Sequence, residues 1–177
     1  MSVLGEVNME FKYKHYFLLR KAHDRDPKMF GFFIQHLLAF ALCEELGAII
    51  THYGRTDRHD IKFRLNDKLY VMEVRTTSEK YVDIHDMYER LIYEEGLRRI
   101  AIFDLTFPTR WLIVKLDKLY PARYLIPSLM NFLDTDLTQR IDNVFPRVVH
   151  RYYDLFEKHG EGYIYELLKA RNLIPSR

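Results

Sequence analysis

The order of helical and strand patterns between residues 30 and 116 most restricts the folds open to this chain. Apolar residues recur every three or four positions over residues 30–46, which predicts a helix that ends at Gly47. A short buried strand is expected at 48–51, and a polar loop follows it. A strand-like alternation of apolar and charged residues then begins at residue 61.

Two strand-like segments, 61–65 and 69–75, are separated by the turn-forming residues Asn66 and Asp67. Since Asn and Asp favour the backbone conformations of tight turns, these segments are predicted to form an antiparallel hairpin. Helical spacing returns over residues 83–95 and ends at Gly96. Two further strands are expected at 100–103 and 111–116.

This order of elements predicts an α/β fold with a central mixed β-sheet flanked by helices, the second helix forming a crossover between strands. Beyond Pro121 the apolar pattern becomes helical, and we expect three helices separated at Pro127, Pro146, Gly160 and Gly162. We therefore predict an α/β core with an N-terminal helical arm in residues 1–120. A helical C-terminal extension, residues 121–177, is expected to pack on the same domain.

Composition excludes several classes of protein. The single cysteine, Cys43, cannot form an internal disulfide bond, which fits a reducing compartment. We find neither a signal peptide nor an apolar segment of membrane-spanning length, so we expect a cytoplasmic protein that does not contact a membrane. The absence of GxGxxG and GxxxxGK[ST] motifs argues against dinucleotide and P-loop nucleotide sites. A net charge of +2 does not by itself indicate a nucleic-acid partner.

Three charged residues of the predicted hairpin are expected to converge. Glu73 and Arg75 are two positions apart in one strand and therefore project from the same face, while Asp60 precedes the other strand. Two carboxylates that meet can bind Mg²⁺ through oxygen and leave positions for water and a phosphate oxygen. A neighbouring cation would neutralise the charge that develops on the phosphate.

Together with the order of elements, these residues resemble the PD-(D/E)XK nuclease superfamily, which includes restriction endonucleases and archaeal Holliday junction resolvases. The resemblance covers residues 31–116 and implies a restriction-endonuclease-like core, with Mg²⁺, or Mn²⁺ in its place, bound by Asp60 and Glu73. By position, Arg75 replaces the family's lysine, and Gln35 replaces a glutamate that many relatives carry in the first helix. Lysine can lose its proton, whereas arginine stays protonated and can only donate hydrogen bonds and charge.

Basic residues cluster around the predicted site in the sequence. As contacts to DNA phosphates we expect Arg55, Arg58, Lys62 and Arg64. A solvated hairpin face is the alternative interpretation of these residues. His52, His59 and His85 lack zinc-finger spacing and are interpreted as surface histidines. The basic and aromatic residues at 147–153 are compatible with either a second DNA contact or a dimer surface.

The leading hypothesis is a Mg²⁺-dependent endonuclease that cuts duplex or branched DNA as a homodimer, since two copies of one site can cut both strands. In this hypothesis Asp60, Glu73, Arg75 and Gln35 form the catalytic site, with Gln35 orienting the attacking water. The alternative is a catalytically inactive nuclease-fold protein that binds nucleic acid or serves in an assembly, with Arg75 marking the loss of activity. A third possibility is an interaction protein whose aromatic C-terminal helices bind a protein partner.

Overall fold

The structure, a computed structural model, describes residues 3–55, 60–106 and 108–175, with side chains from Lys14 onward. Along these residues the elements are, in chain order, α1 (Val3–Arg25), α2 (Pro27–Phe40), β1 (Ile49–Tyr53), β2 (Asp60–Leu65), β3 (Lys68–Thr77), β4 (Tyr81–Asp83), α3 (His85–Leu91), β5 (Leu97–Asp104), β6 (Arg110–Lys115), β7 (Arg123–Leu125), α4 (Ile126–Leu129), α5 (Thr135–His159) and α6 (Glu161–Ala170). None of these helices has the length and apolar character needed to cross a membrane.

The central sheet has the strand order β1-β2-β3-β5-β6 in the described part of the chain. Its β3 and β5 strands run parallel and are joined through α3, whereas the other neighbouring strands are antiparallel. β4 and β7 form a separate two-stranded sheet. The chain is therefore an α/β protein with a mixed central sheet flanked by helices, and this part of the prediction is confirmed.

The β2–β3 hairpin is closed by a two-residue turn in which Asn66 and Asp67 have φ angles of 51° and 63°. Two consecutive positive φ angles match the twist of the flanking strands, and Asn and Asp tolerate them better than most residues. The turn sets the register in which Asp60 lies opposite Glu73. A slip of one residue would move the side chains of one strand to the other face.

The two faces of the sheet are covered by different helices. Alternate residues of β3, such as Met72 and Val74, join a core with α1, α2, α5 and α6. Val71 lies on the other face of β3, the face that also carries Glu73. It joins a second core with α3, α4 and the β4–β7 sheet. As the sequence predicts, α2 and α3 therefore pack on opposite faces.

The C-terminal extension, expected to be helical throughout, begins with the strand β7, and it also differs from the expectation at two of the predicted breaks. Pro146 lies inside α5 and Gly162 lies inside α6, so neither separates helices. Ile141, Phe145 and Val149 of α5 are buried in the core shared with the sheet. This burial outweighs the cost of a proline in a helix interior, which is about 3 kcal/mol. Gly160, with a φ angle of 85°, separates α5 from α6 as expected.

Three other boundaries also differ from the sequence prediction. The first core helix begins earlier, at Pro27, because the Asp26 side chain caps it by accepting a hydrogen bond of 3.2 Å from the Met29 N–H. The helical segment expected to reach residue 95 ends at Leu91. The strand expected to be buried at 48–51 is instead the edge strand β1, and its Ile49 side chain is exposed.

Candidate functional site

Asp60 and Glu73 form a buried cross-strand pair on the face of the sheet that α3 covers. Asp60 is the first residue of β2 and lies directly opposite Glu73 of β3. Asp60 is 8% exposed and Glu73 is 2% exposed. Buried carboxylates are costly unless cations or hydrogen-bond donors compensate them, so the groups around this pair determine what it can do.

Glu73 is flanked by two guanidinium groups. Arg90, on α3, donates a hydrogen bond of 2.9 Å from Nη2 to Glu73 Oε1. Arg75 Nη2 lies 3.9 Å from the same oxygen, which is too long for a hydrogen bond but close enough for charge attraction. Sequence reasoning missed Arg90. Its position three residues after the buried Met87, and hence beside the apolar side of α3, is the signal that places it near the sheet.

The two carboxylate oxygens of Asp60 differ in their contacts. His52 Nε2, on β1, lies 3.2 Å from Asp60 Oδ2. Asp60 Oδ1 is buried and has no hydrogen-bond partner among the described residues. An orphaned carboxylate oxygen in a buried site calls for a missing partner. His52 is half-exposed, as a surface histidine would be, but its contact with Asp60 was not expected.

The donor chemistry of this pair fits a hard divalent cation. Mg²⁺ is commonly bound by one or two carboxylates and keeps its other positions for water and substrate phosphate oxygens. Asp60 and Glu73 supply two such carboxylates, and Asp60 Oδ1 has no other partner in the described chain. Within the same residues, no group of three or more His, Cys, Asp or Glu side chains is arranged to hold a metal ion. A cation held here would have Asp60 and Glu73 as its carboxylate ligands, with water in its other positions.

Gln35 lies on α2, fully buried, and contacts the backbone that leads to Asp60. Its Nε2 donates a hydrogen bond of 2.7 Å to the carbonyl oxygen of Gly54. The Gly54 N–H in turn donates a hydrogen bond of 2.8 Å to the carbonyl oxygen of Asp60. Gln35 is thus connected to the candidate site through the backbone at the end of β1, and its predicted contact with water stays a prediction.

The four residues predicted to contact DNA are in different environments. Arg55 Nη2 lies 3.5 Å from Glu161 Oε1, and its guanidinium carbon lies 3.9 Å from the centre of the Tyr165 ring. Lys62 Nζ is 2.8 Å from Glu94 Oε2. Arg64 is exposed on β2. Arg58 lies outside the described residues, as does His59.

A second polar group, here called the brace cluster, consists of His36, Tyr53, Arg55 and Glu161. His36 Nε2 lies 2.8 Å from Glu161 Oε1, and His36 Nδ1 forms a hydrogen bond with the Tyr53 hydroxyl. Burial lowers the pKa of His36, so the ring is neutral at pH 7. A neutral ring that donates from Nε2 to Glu161 accepts at Nδ1 from Tyr53, which satisfies both nitrogens. The hydrogen bond from His36 lowers the pKa of Glu161.

Arg75 lies between two surface clefts. One cleft, of about 400 Å³, is lined by Arg75, Asp86, Glu89 and Arg90. The other, of about 190 Å³, is lined by Pro27, Lys28, Gly31, Val74, Arg75 and Thr76. Arg75 Nε is buried without a hydrogen-bond partner in the part of the chain that the structure describes. Arg75 thus retains donor capacity beside both clefts, and Lys28 adds a second positive charge to the smaller one.

The sequence matches no protein-family model, and no curated protein is significantly similar to it. Its function therefore has to be inferred from the geometry around Asp60 and Glu73.

Proposed function

We propose that this protein is a metal-dependent DNA endonuclease of the PD-(D/E)XK type, which hydrolyses phosphodiester bonds of duplex or branched DNA with Mg²⁺ or Mn²⁺. The observation that carries the proposal is the buried pair of Asp60 and Glu73, with Asp60 Oδ1 left without a hydrogen-bond partner in the described residues. An uncompensated buried oxygen costs about 1–3 kcal/mol, and a bound cation would remove that cost.

The order of elements supports a restriction-endonuclease-like core. The succession α2, β1, the β2–β3 hairpin, α3, β5 and β6 agrees with the order that the resemblance implies for residues 31–116. α2 and α3 pack on opposite faces of the sheet, and α3 makes the crossover between the parallel strands β3 and β5. The proposed ligands lie on the hairpin of this arrangement.

Each residue of the site has a proposed role that follows from its chemistry. Asp60 and Glu73 hold the divalent cation. A bound Mg²⁺ or Mn²⁺ would supply Lewis-acid stabilisation and an activated water. Arg75 remains protonated, so it acts as a donor to a phosphate oxygen and not as a base. Gln35 holds the carbonyl of Gly54, whose N–H in turn bonds to the backbone of Asp60. The side chain of Gln35 is also proposed to orient the attacking water.

DNA is the proposed partner, and the basic side chains are its proposed phosphate contacts. Arg64 is exposed, and Lys28 and Arg75 line one cleft. Arg55, Arg58 and Lys62 are also proposed to contact phosphates. Arg55 pairs with Glu161 and Lys62 pairs with Glu94 in the protein without DNA. We further propose that the protein acts in the cytoplasm as a homodimer, because two copies of one site can cut both strands.

A second candidate function is an inactive nuclease-fold module that binds nucleic acid. One observation favours it: the hydrogen bond from Arg90 already compensates the charge of Glu73 without a metal ion. Charge-assisted hydrogen bonds of this kind are stronger than neutral ones. In such a module Arg75 would serve binding alone, and Arg90 would neutralise Glu73.

Cleavage of plasmid and branched DNA distinguishes the two candidates. Wild-type protein should cut with Mg²⁺ or Mn²⁺ and not with EDTA, and Glu73→Gln should abolish cleavage because it removes one ligand charge. The matched control is Glu166→Gln, since Glu166 is exposed and pairs with Lys169 on α6, neither of which is a proposed site residue. Full activity of Glu73→Gln would remove Glu73 from the site. Binding without any cleavage by the wild type would favour the inactive module.

A further inference from the structure

Arg90 occupies the position at which a guanidinium group and a metal ion would compete for one carboxylate. Its Nη2 lies 2.9 Å from Glu73 Oε1, and this carboxylate is 2% exposed. A buried carboxylate without a compensating charge is strongly unfavourable. In the absence of metal, Arg90 therefore supplies the closest positive charge to Glu73 among the contacts described, nearer than that of Arg75 at 3.9 Å.

A divalent cation on Glu73 would repel Arg90 at its present distance. Two like charges separated by about 4 Å repel each other strongly when water is largely excluded, and the repulsion is larger for a doubly charged ion. The cation would bind the same carboxylate whose Oε1 already accepts a hydrogen bond from Arg90. Binding of the cation and the present position of Arg90 are therefore mutually unfavourable.

The surroundings of Arg90 allow its guanidinium to move away. The side chain is 27% exposed and lines the cleft of about 400 Å³ beside Arg75. Asp86 and Glu89 line the same cleft and offer other carboxylates. The only other hydrogen bond described for the guanidinium is a long one of 3.4 Å, from Nε to the Asp86 carbonyl oxygen. Leaving Glu73 thus requires no rearrangement of the packed core.

We propose that Arg90 and the divalent cation exchange on Glu73. Arg90 neutralises Glu73 in the metal-free protein, leaves it when the cation binds, and is then available with Arg75 for a substrate phosphate. The proposal rests on the assignment of Asp60 and Glu73 as the metal site. It makes metal binding and phosphate binding mutually dependent, because the cation releases the guanidinium that contacts the phosphate.

The exchange is tested by calorimetric titration of the protein with Mn²⁺. Arg90→Gln should bind Mn²⁺ at least about tenfold more tightly than the wild type, which corresponds to about 1.4 kcal/mol, because the competing charge is gone. Arg90→Lys keeps a positive charge and should stay within about threefold of the wild type. Equal Mn²⁺ affinity of Arg90→Gln and wild type would overturn the proposal, as would the failure of both to bind.

The matched control is Arg99→Gln. Arg99 Nε forms an ion pair of 2.9 Å, the same distance as in the Arg90 pair, but its partner is Asp134, the N-cap residue of α5, and not Glu73. Its replacement should lower the melting temperature and leave the Mn²⁺ affinity unchanged. If Arg90→Gln is too unstable for calorimetry, the increase in melting temperature that Mn²⁺ produces replaces the titration, and this increase should exceed that of the wild type.

A second measurement tests the release of Arg90 towards phosphate. The affinity for a fluorescent DNA duplex is measured with Ca²⁺ and with EDTA. Without a divalent cation, Arg90→Gln and wild type should bind the duplex equally well. With Ca²⁺, the wild type should bind the duplex at least about threefold more tightly than Arg90→Gln does. If Arg90→Gln and wild type bind the duplex with equal affinity both with Ca²⁺ and with EDTA, the proposal that Arg90 is released to a phosphate is wrong.

The outcomes separate this inference from the proposed nuclease activity. Metal-dependent cleavage by the wild type with unchanged Mn²⁺ affinity in Arg90→Gln would leave the nuclease standing and overturn the exchange. Tighter Mn²⁺ binding by Arg90→Gln, with no cleavage by any form of the protein, would support the exchange at the metal site and contradict the nuclease.

Discussion

Two polar clusters lie at the two ends of the segment between β1 and β2, and they differ in how fully their atoms are paired. In the brace cluster, His36 is bonded to both Tyr53 and Glu161, and Glu161 also attracts Arg55. The other group, called here the carboxylate cluster, consists of Asp60, Glu73, Arg75 and Arg90. Asp60 Oδ1 and Arg75 Nε in this cluster are buried without hydrogen-bond partners among the described residues.

The difference indicates what each cluster is for. A fully paired buried network fixes the conformation of the elements that meet in it, here α2, the end of β1 and α6. A network with unsatisfied atoms is kept at a cost of about 1–3 kcal/mol per group, unless a ligand provides the missing partner. We therefore expect changes in the brace cluster to alter stability, and changes in the carboxylate cluster to alter activity.

The largest expected effect is that of Asp60→Asn on cleavage. The substitution removes a ligand charge and should lower the rate at least about a hundredfold, equivalent to about 2.7 kcal/mol of transition-state stabilisation. The free energy of unfolding without metal should be unchanged or higher, because a buried charge with an unpaired oxygen is removed. Cleavage assays and urea denaturation check both expectations. A variant that unfolds more easily yet cuts normally would reverse the assignment of the two clusters.

Glu161→Ala should have the largest effect on stability. It leaves the buried Nε2–H of His36 without its acceptor and should lower the free energy of unfolding by about 2 kcal/mol. Glu166→Ala, on the same helix, is the matched control. Glu166 is exposed and pairs with Lys169 at 3.8 Å, so its loss should cost less than about 0.5 kcal/mol. Similar losses for the two variants would show that the brace cluster is not a stabilising unit.

Arg75 tests whether the carboxylate cluster is active. Arg75→Ala should lower cleavage at least about tenfold, or about 1.4 kcal/mol, because a phosphate donor is lost. Arg75→Lys should retain part of the rate, since the charge survives. A wild type that binds DNA without cutting it, combined with a gain of cleavage in Arg75→Lys, would identify the protein as an inactive module.

The remaining expected effect is the pH dependence of the brace cluster. Burial lowers the pKa of His36, so below about pH 6.5 the unfolded chain takes up a proton that the folded protein does not. Stability should therefore be complete above this pH and fall below it, by up to about 1.4 kcal/mol per pH unit.

His15 would contribute a slope of the same sign, because burial lowers its pKa from 6.5 to about 4. Denaturation at pH 7 and pH 5 is therefore best carried out on His15→Phe, in which this contribution is absent. Equal stability of that variant at the two pH values would mean that His36 is protonated in the folded state.

Local patterns explain why one cluster was predictable and the other was not. The pairing of Asp60 with Glu73 follows from strand alternation and from the turn at Asn66 and Asp67, all within fourteen consecutive residues. The contact between His36 and Glu161 joins residues 125 positions apart, and no local pattern encodes it. Arg90 is an intermediate case, since the position of α3 is predictable but the side chain it turns towards Glu73 is not.

The helical boundaries show the same division. Gly160 ends α5 through its own backbone conformation, and the sequence predicts this break. By contrast, the continuation of α5 through Pro146 depends on packing of its buried face against the rest of the core. Tertiary packing overrides local propensity at such positions, so the break expected from the sequence does not occur.

The long separation between His36 and Glu161 has a consequence for synthesis of the chain. During translation, α2 and the β2–β3 hairpin leave the ribosome well before α6, so Asp60 and Glu73 can pair while Glu161 has not yet been synthesised. The segment that leads into Asp60 then lacks its contact with the C-terminal helix. The nascent chain therefore carries both carboxylates early, but they gain their final support only when α6 has been made and has packed against α2.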